Sequence, residues 1–349
     1  MSLTVDIQKD YGDFRLDVNF STSGGILGLL GASGSGKSRT LNCIAGIDKP
    51  DSGRIELNGK VLFDSEHHID LPPQKRRVGF LFQNYALFPN MTVRQNILCG
   101  MHGEKDHARK EEKLRRTVAL LGLEGLENRR PYALSGGQQQ RAALARILVS
   151  EPELLLLDEP FSALDSHLRE RLQMELRGLL AEFGRDVLLV THSRDEAYCL
   201  CENIAVLDAG RVAAHKPSAA LFADPGCPAA AVLTGCKNIV PAQKCGEFAV
   251  QIPDWGICLQ TGVPVRDGVQ AVGIRAHAFY PAVPGGAPNA FAVEKCGEMA
   301  EPFERVFSFR FAGQSPAAQL VWWRMPTTDC PDVFPAALAL NPMDVMLLY

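Results

Sequence analysis

The sequence predicts an α/β domain followed by a smaller all-β domain, and three observations carry that prediction. Short, wholly apolar runs at 25–30, 154–157 and 187–190 alternate with long amphipathic stretches, as strands buried on both faces do. The first of these runs opens directly into a glycine-rich loop and then a helical stretch. Composition then shifts after about residue 216: 15 of the 22 prolines and all three tryptophans lie from Pro217 onward. At 349 residues the chain is also long enough for two cores.

The elements follow in order. Residues 4–7 and 14–20 alternate in the manner of antiparallel strands. The run 25–30 reads as a buried strand, and 105–116 as a solvated basic helix face, with Glu111 and Arg115 at pairing distance four. A long helix is expected over 139–149, then buried strands at 154–157 and 187–190. Beyond residue 230, runs at 248–252, 269–274 and 318–321 are separated by proline and glycine, which favours short β-strands. The stretch 281–288 reads as a loop.

Bulk properties exclude several classes. Hydrophobic residues at 46% and charged residues at 22% fit a globular, water-soluble chain. A net charge of -4 gives no electrostatic reason to expect nucleic acid. No apolar run approaches the roughly 18–20 residues of a membrane span, and the first 14 residues lack a signal-peptide core. Ten cysteines include no CxxC pair, so free thiols are expected rather than zinc or disulfides.

Three segments carry chemistry. Gly31-Ala32-Ser33-Gly34-Ser35-Gly36-Lys37-Ser38 matches GxxxxGK[ST] between a strand and a helix. Its glycines let backbone N–H groups curl around a phosphate chain, and the helix N-terminus adds donors and a favourable dipole. Lys37 is expected to reach the β- and γ-phosphates and Ser38 to ligate Mg²⁺. Downstream, the apolar run 154–157 ends in Asp158 and Glu159, which suit Mg²⁺ held through its water shell and a general base for an attacking water. Leu134-Ser135-Gly136-Gly137-Gln138 opens another helix and forms a second phosphate-facing terminus.

In this order these segments resemble the nucleotide-binding subunit of an ABC transporter. The resemblance spans about residues 1–235 and adds Gln83 as the Q-loop glutamine, 162–165 with Asp165 as the D-loop, and His192 as the switch histidine. Tyr11 matches the aromatic that stacks on adenine, with Phe14 as a nearby alternative. It implies a P-loop NTPase cassette, a RecA-like core plus a helical subdomain at about 88–150, binding ATP and Mg²⁺. Two copies pair head to tail: Gly31 to Ser38, Gln83, Asp158, Glu159 and His192 of one copy face Ser135, Gly136, Gly137 and Gln138 of the other. Arg39 stands where many relatives carry a small hydroxyl residue, so one α-phosphate contact is expected to differ.

Residues 86–93, just after Gln83, resemble importer subunits that dock on a separate permease. The stretches 59–78 and 39–41 are most similar to molybdate and sulfate/molybdate importer ATPases. The region 236–349 resembles the small OB/TOBE-like regulatory β-domain of such subunits. The implied function is ATP-driven uptake of molybdate or tungstate at the cytoplasmic face of the membrane, with permease subunits and, indirectly, an extracytoplasmic substrate-binding protein as partners. Sulfate, iron(III), sugar and polyamine importers are the alternatives, with a soluble ABC ATPase behind them.

Overall fold

A computed structural model describes residues 2–22, 24–101, 103–162, 166–315 and 317–349, apart from the side chains of 166–168. Packing divides the chain into two compact units, Met1–Ser218 and Ala219–Tyr349. Among the described residues, no helix is long and apolar enough to cross a membrane.

The first unit contains β1 (Leu3–Asp10), β2 (Arg15–Thr22), β3 (Ile26–Leu30), α1 (Lys37–Ala45), β4 (Ser52–Leu57), β5 (Lys60–Asp64), β6 (Ile69–Asp70), α2 (Pro73–Arg76) and β7 (Val78–Leu81). It continues with α3 (Val93–Cys99), α4 (His107–Leu120), α5 (Gly136–Leu148), β8 (Leu154–Asp158), α6 (Ser166–Phe183), β9 (Asp186–Thr191), α7 (Arg194–Leu200), β10 (Asn203–Asp208) and β11 (Arg211–Pro217). All eleven strands form one sheet in the order β6-β5-β4-β1-β2-β11-β10-β3-β9-β8-β7. The half from β10 to β7 is parallel, and the half from β6 to β2 is antiparallel.

That division follows the residue pattern. β8 and β9 are buried at every position, whereas β1 alternates buried and exposed along its first residues. Strands covered on both faces must be apolar throughout, while half-solvated antiparallel strands alternate. The leucines of β8 are 0% exposed, and each fully buried leucine contributes about 1.5–3 kcal/mol. The parallel register sets Leu30 beside Thr191 and Asp158 beside Val190. The C-terminal ends of β3, β9 and β8 therefore finish at one edge, where open α/β sheets bind ligands.

α5 begins at Gly136, three residues before its expected start, because Ser135 caps it with its own side chain. The pairing expected between Glu111 and Arg115 is not formed. Glu111 pairs with Arg94 of α3, and Arg115 with Glu112 on its own helix. A partner across the α3–α4 packing contact competes with an exposed pair worth only a few tenths of a kcal/mol.

The second unit holds α8, whose first residue, Ser218, ends the first unit (Ser218–Ala223), then α9 (Pro228–Leu233) and eleven strands. These are β12 (Asn238–Pro241), β13 (Gln243–Gly246), β14 (Ala249–Ile252), β15 (Ile257–Gln260), β16 (Ala271–Ile274), β17 (Phe279–Pro281), β18 (Ala290–Ala300), β19 (Glu304–Phe311), β20 (Val321–Pro326), β21 (Ala337–Leu340) and β22 (Met346–Leu348). They form three antiparallel sheets, β12-β16-β22, β13-β14-β15 and β17-β21-β18-β19-β20. The strand expected at 318–321 instead begins at Val321, where alternation first appears in Val321-Trp322-Trp323. Trp323 anchors the core: it is 1% exposed, lies 5.2 Å from the Phe307 ring, and donates its indole N–H to Phe279 O at 2.9 Å. Arg275 holds the two short helices to the sheets through Thr234 O and Phe222 O.

Candidate functional site

The phosphate loop leaves β3 and turns into α1 at Gly36, whose φ of 104° lies in the left-handed region. A Cβ there would stand 2.8 Å from Phe14 Cζ and 2.9 Å from Leu16 Cδ1, so glycine is required on both counts. At Gly31 a Cβ would meet Ser35 Oγ and, at 2.5 Å, Leu207 O. The loop is thus pressed against the sheet, and the Ser35 N–H closes its turn onto Ala32 O at 3.2 Å.

Lys37 is buried, and its ammonium donates to Gly31 O and Ala32 O, both at 2.8 Å. Burial lowers its pKa, and the carboxylates of Glu159 and Asp158 oppose that shift. Ser38 donates to Asp158 Oδ1 at 2.9 Å. Burial raises the Asp158 pKa, Glu159 adds to the rise, and the Ser38 bond and Lys37 work against it.

Glu159 follows at φ 44°, its N–H bonded to Val190 O at 3.0 Å. This turn points the carboxylate toward the end of β9, where His192 Nδ1 lies 3.1 Å from Glu159 Oε1. His192 is held at the start of α7 because Ser193 caps that helix. Gln83 and Asp158 line one shallow depression with Phe82, Asn84 and Ser162. The predicted Gly31–Ser38, Gln83, Asp158, Glu159 and His192 thus converge on the C-terminal edge of the parallel strands.

Ser135 and Gln138 form a capping box: Ser135 Oγ accepts from Gln138 N–H at 3.4 Å, and Gln138 Oε1 accepts from Ser135 N–H at 3.0 Å. The N–H groups of Gly136 and Gly137 open the helix between them. Tyr11 donates its hydroxyl to Asp48 Oδ2 at 3.1 Å, and the Arg39 guanidinium lies 3.9 Å from its ring centroid. Burial raises the Tyr11 pKa, and Cys43 and Asp48 add to the rise. Asp165 lies outside the described residues.

Four residues in this region were not anticipated from sequence. Arg76 is buried and donates to Cys43 O, Ile44 O, Leu71 O and Asp70 Oδ1, clamping the far end of α1. Arg146 donates to Tyr85 O and Ala86 O, and Tyr85 donates its hydroxyl to Pro160 O at 3.3 Å. Together they tie the segment after Gln83 to the segment after Glu159. Asn96 is 0% exposed and holds the loop from Phe88 to Thr92 through four hydrogen bonds. Beside that loop runs an apolar groove whose lining includes Phe80, Phe82, Phe88, Met101 and Ile147.

The residues fit a nucleotide and a hard cation. Gly31 and Gly36 allow a loop course that a Cβ at either would block, the buried Ser35 hydroxyl has no protein partner, and Ser38 with Asp158 presents hard oxygen donors.

The ABC transporter family matches residues 16–162. The chain is 46% identical over 237 residues to the molybdate/tungstate import ATP-binding protein WtpC of Thermococcus kodakarensis, covering 67% of this chain and 70% of that protein. It belongs to the ABC transporter ATP-binding family. The chain is 43% identical over 224 residues to the molybdenum import ATP-binding protein ModC of Paramagnetospirillum magneticum, which spans 64% of this chain. With the sulfate/thiosulfate import ATP-binding protein CysA 2 of Chromobacterium violaceum the identity is 42% over 218 residues. The match spans 61% of that ModC and 58% of that CysA, about three fifths of their length. Among solved structures, the dimeric post-hydrolysis cassette MJ0796 bound to ADP and Pi is 31% identical, with a TM-score of 0.52. It covers 62% of this chain and 99% of that one. The first unit therefore has the ABC cassette fold of a P-loop NTPase, followed in the chain by a unit of two short helices and antiparallel sheets.

Proposed function

We propose that this chain is the ATP-hydrolysing subunit of an ABC importer for an oxyanion, molybdate or tungstate. The observation that carries the ATPase reading is the Ser38–Asp158 hydrogen bond of 2.9 Å, flanked by Lys37, Glu159 and His192. Bound Mg²⁺ would neutralise charge on the phosphate oxygens, and Ser38, Asp158 and Gln83 are the residues that would hold it. Lys37, already deprived of water, exchanges two carbonyl partners for phosphate oxygens at small desolvation cost. Glu159 accepts the proton of the attacking water as general base, and His192 orients its carboxylate.

The Ser135–Gln138 helix terminus serves a second copy of the chain. Its capping box leaves the N–H groups of Gly136 and Gly137 free for a phosphate presented from outside. Each ATP then joins two copies, and loss of the γ-phosphate lets them part. The apolar groove beside Phe88 suits a permease helix, and on this reading the chain works at the cytoplasmic face of the membrane.

The cargo reading is supported by the WtpC and ModC relatives, named for molybdate, tungstate and molybdenum, together with the resemblance at 39–41 and 59–78. A sulfate reading stands second, since the CysA relative has comparable identity. ATPase activity of the reconstituted transporter, titrated with molybdate, tungstate and sulfate in the presence of its binding protein, separates them. A response to molybdate and tungstate without sulfate supports the first reading, and a response to sulfate alone moves the cargo to the second.

A further inference from the structure

We propose that Arg39 tunes nucleotide affinity by competing with the base for the ring of Tyr11. The proposal rests on the reading of Tyr11 as the base platform beside the phosphate loop. At 3.9 Å from the ring centroid, the guanidinium is in stacking contact, and a purine cannot lie on the same face. It also lies 5.0 Å from the Phe14 centroid, between two rings that are themselves tilted by 46°.

The platform is the fixed partner. Tyr11 donates its hydroxyl to Asp48 and its N–H to Phe14 O at 2.9 Å, while Phe14 is wedged against Gly36. Arg39 is the movable one: its side chain is exposed on the first turn of α1, on a stem with several rotatable bonds. Lys9 approaches the same ring at 5.1 Å but is anchored to Lys49 O at 2.6 Å. A base that stacks on the face of Tyr11 that Arg39 covers must therefore displace Arg39 and break its cation–π contact. The displaced charge stays beside the phosphate loop, so its effect on phosphates opposes its effect on the base.

Tripolyphosphate, which has no base, separates the two effects. Binding of ATP and of tripolyphosphate, each with Mg²⁺, is measured by calorimetry on the full chain and on Arg39→Thr, Tyr11→Ala and the double variant. Matching thermal unfolding verifies that each variant is folded. The expected result is that Arg39→Thr increases the preference for ATP over tripolyphosphate by about two- to five-fold, the value of one exposed cation–π contact. In the Tyr11→Ala background the same substitution leaves the preference unchanged. An unchanged or reduced preference in Arg39→Thr overturns the proposal, and so does an increase that persists without Tyr11. If the unaltered chain binds neither compound, the phosphate-loop reading itself fails, a result distinct from both.

Discussion

His192 Nδ1 stands 3.1 Å from Glu159 Oε1, joining the ends of two adjacent parallel strands. Glu159 takes its strained positive φ to face that histidine rather than continue β8. If His192 orients the base, His192→Ala lowers the hydrolysis rate by about 10²–10³-fold and changes ATP affinity by less than about three-fold. Single-turnover hydrolysis beside equilibrium binding separates the two. An equal loss in both assigns His192 to binding.

Asp158 combines a functional need with a stability cost. Its pKa is raised by burial, so charging it costs more in the folded than in the unfolded chain. That cost is present at neutral pH, shrinks as the pH falls through the raised folded-state value, and is gone only below the ordinary aspartate value. Asp158→Asn is thus expected to raise Tm at pH 8, with the advantage much reduced at pH 4. The same variant needs about 10–100-fold more Mg²⁺ for half-maximal hydrolysis. A lower Tm at pH 8 refutes the stability half, and an unchanged Mg²⁺ requirement refutes the other.

Arg76 is a structural clamp. Removing its guanidinium takes a donor from Cys43 O and Ile44 O in the last turn of α1 and from Leu71 O after β6, while Cys43 O keeps the Gly46 N–H. Arg76→Met should destabilise the first unit by about 3–5 kcal/mol in urea unfolding. Arg76→Lys recovers only part of that, because a single ammonium cannot span partners on separate segments.

Ser135 should separate folding from turnover. Ser135→Ala removes one half of a capping box, which costs about 1 kcal/mol. Its effect on hydrolysis is expected to exceed 10²-fold, with ATP binding to the single chain unchanged. Activity that falls only in step with stability would reduce Ser135 to a helix cap.

Much of the nucleotide edge was legible because its chemistry is local. Gly31 to Ser38, Asp158 and Glu159 each sit where an apolar strand ends, and parallel register carries those ends to one edge. Arg76 was not legible as a clamp, since only tertiary packing buries the middle member of Lys75-Arg76-Arg77. Arg146 was hidden for the same reason, since it satisfies backbone carbonyls of a distant turn; Asn96 bonds the loop just before its own helix, a role a lone asparagine does not announce. In the second unit the strand class was visible, but not the pairing. β18 pairs with β21 through Ala290–Ala292 and with β19 beyond it, with a bulge near Gly297, so one strand serves two pairings.

The most direct test of the central claim is Glu159→Gln, assayed for both ATP hydrolysis and ATP-dependent self-association. The expected outcome is hydrolysis reduced by at least about 10²-fold together with a stable dimer that forms with ATP and not with ADP. Hydrolysis at the unaltered rate, or an ATP-bound chain that stays monomeric, would contradict it.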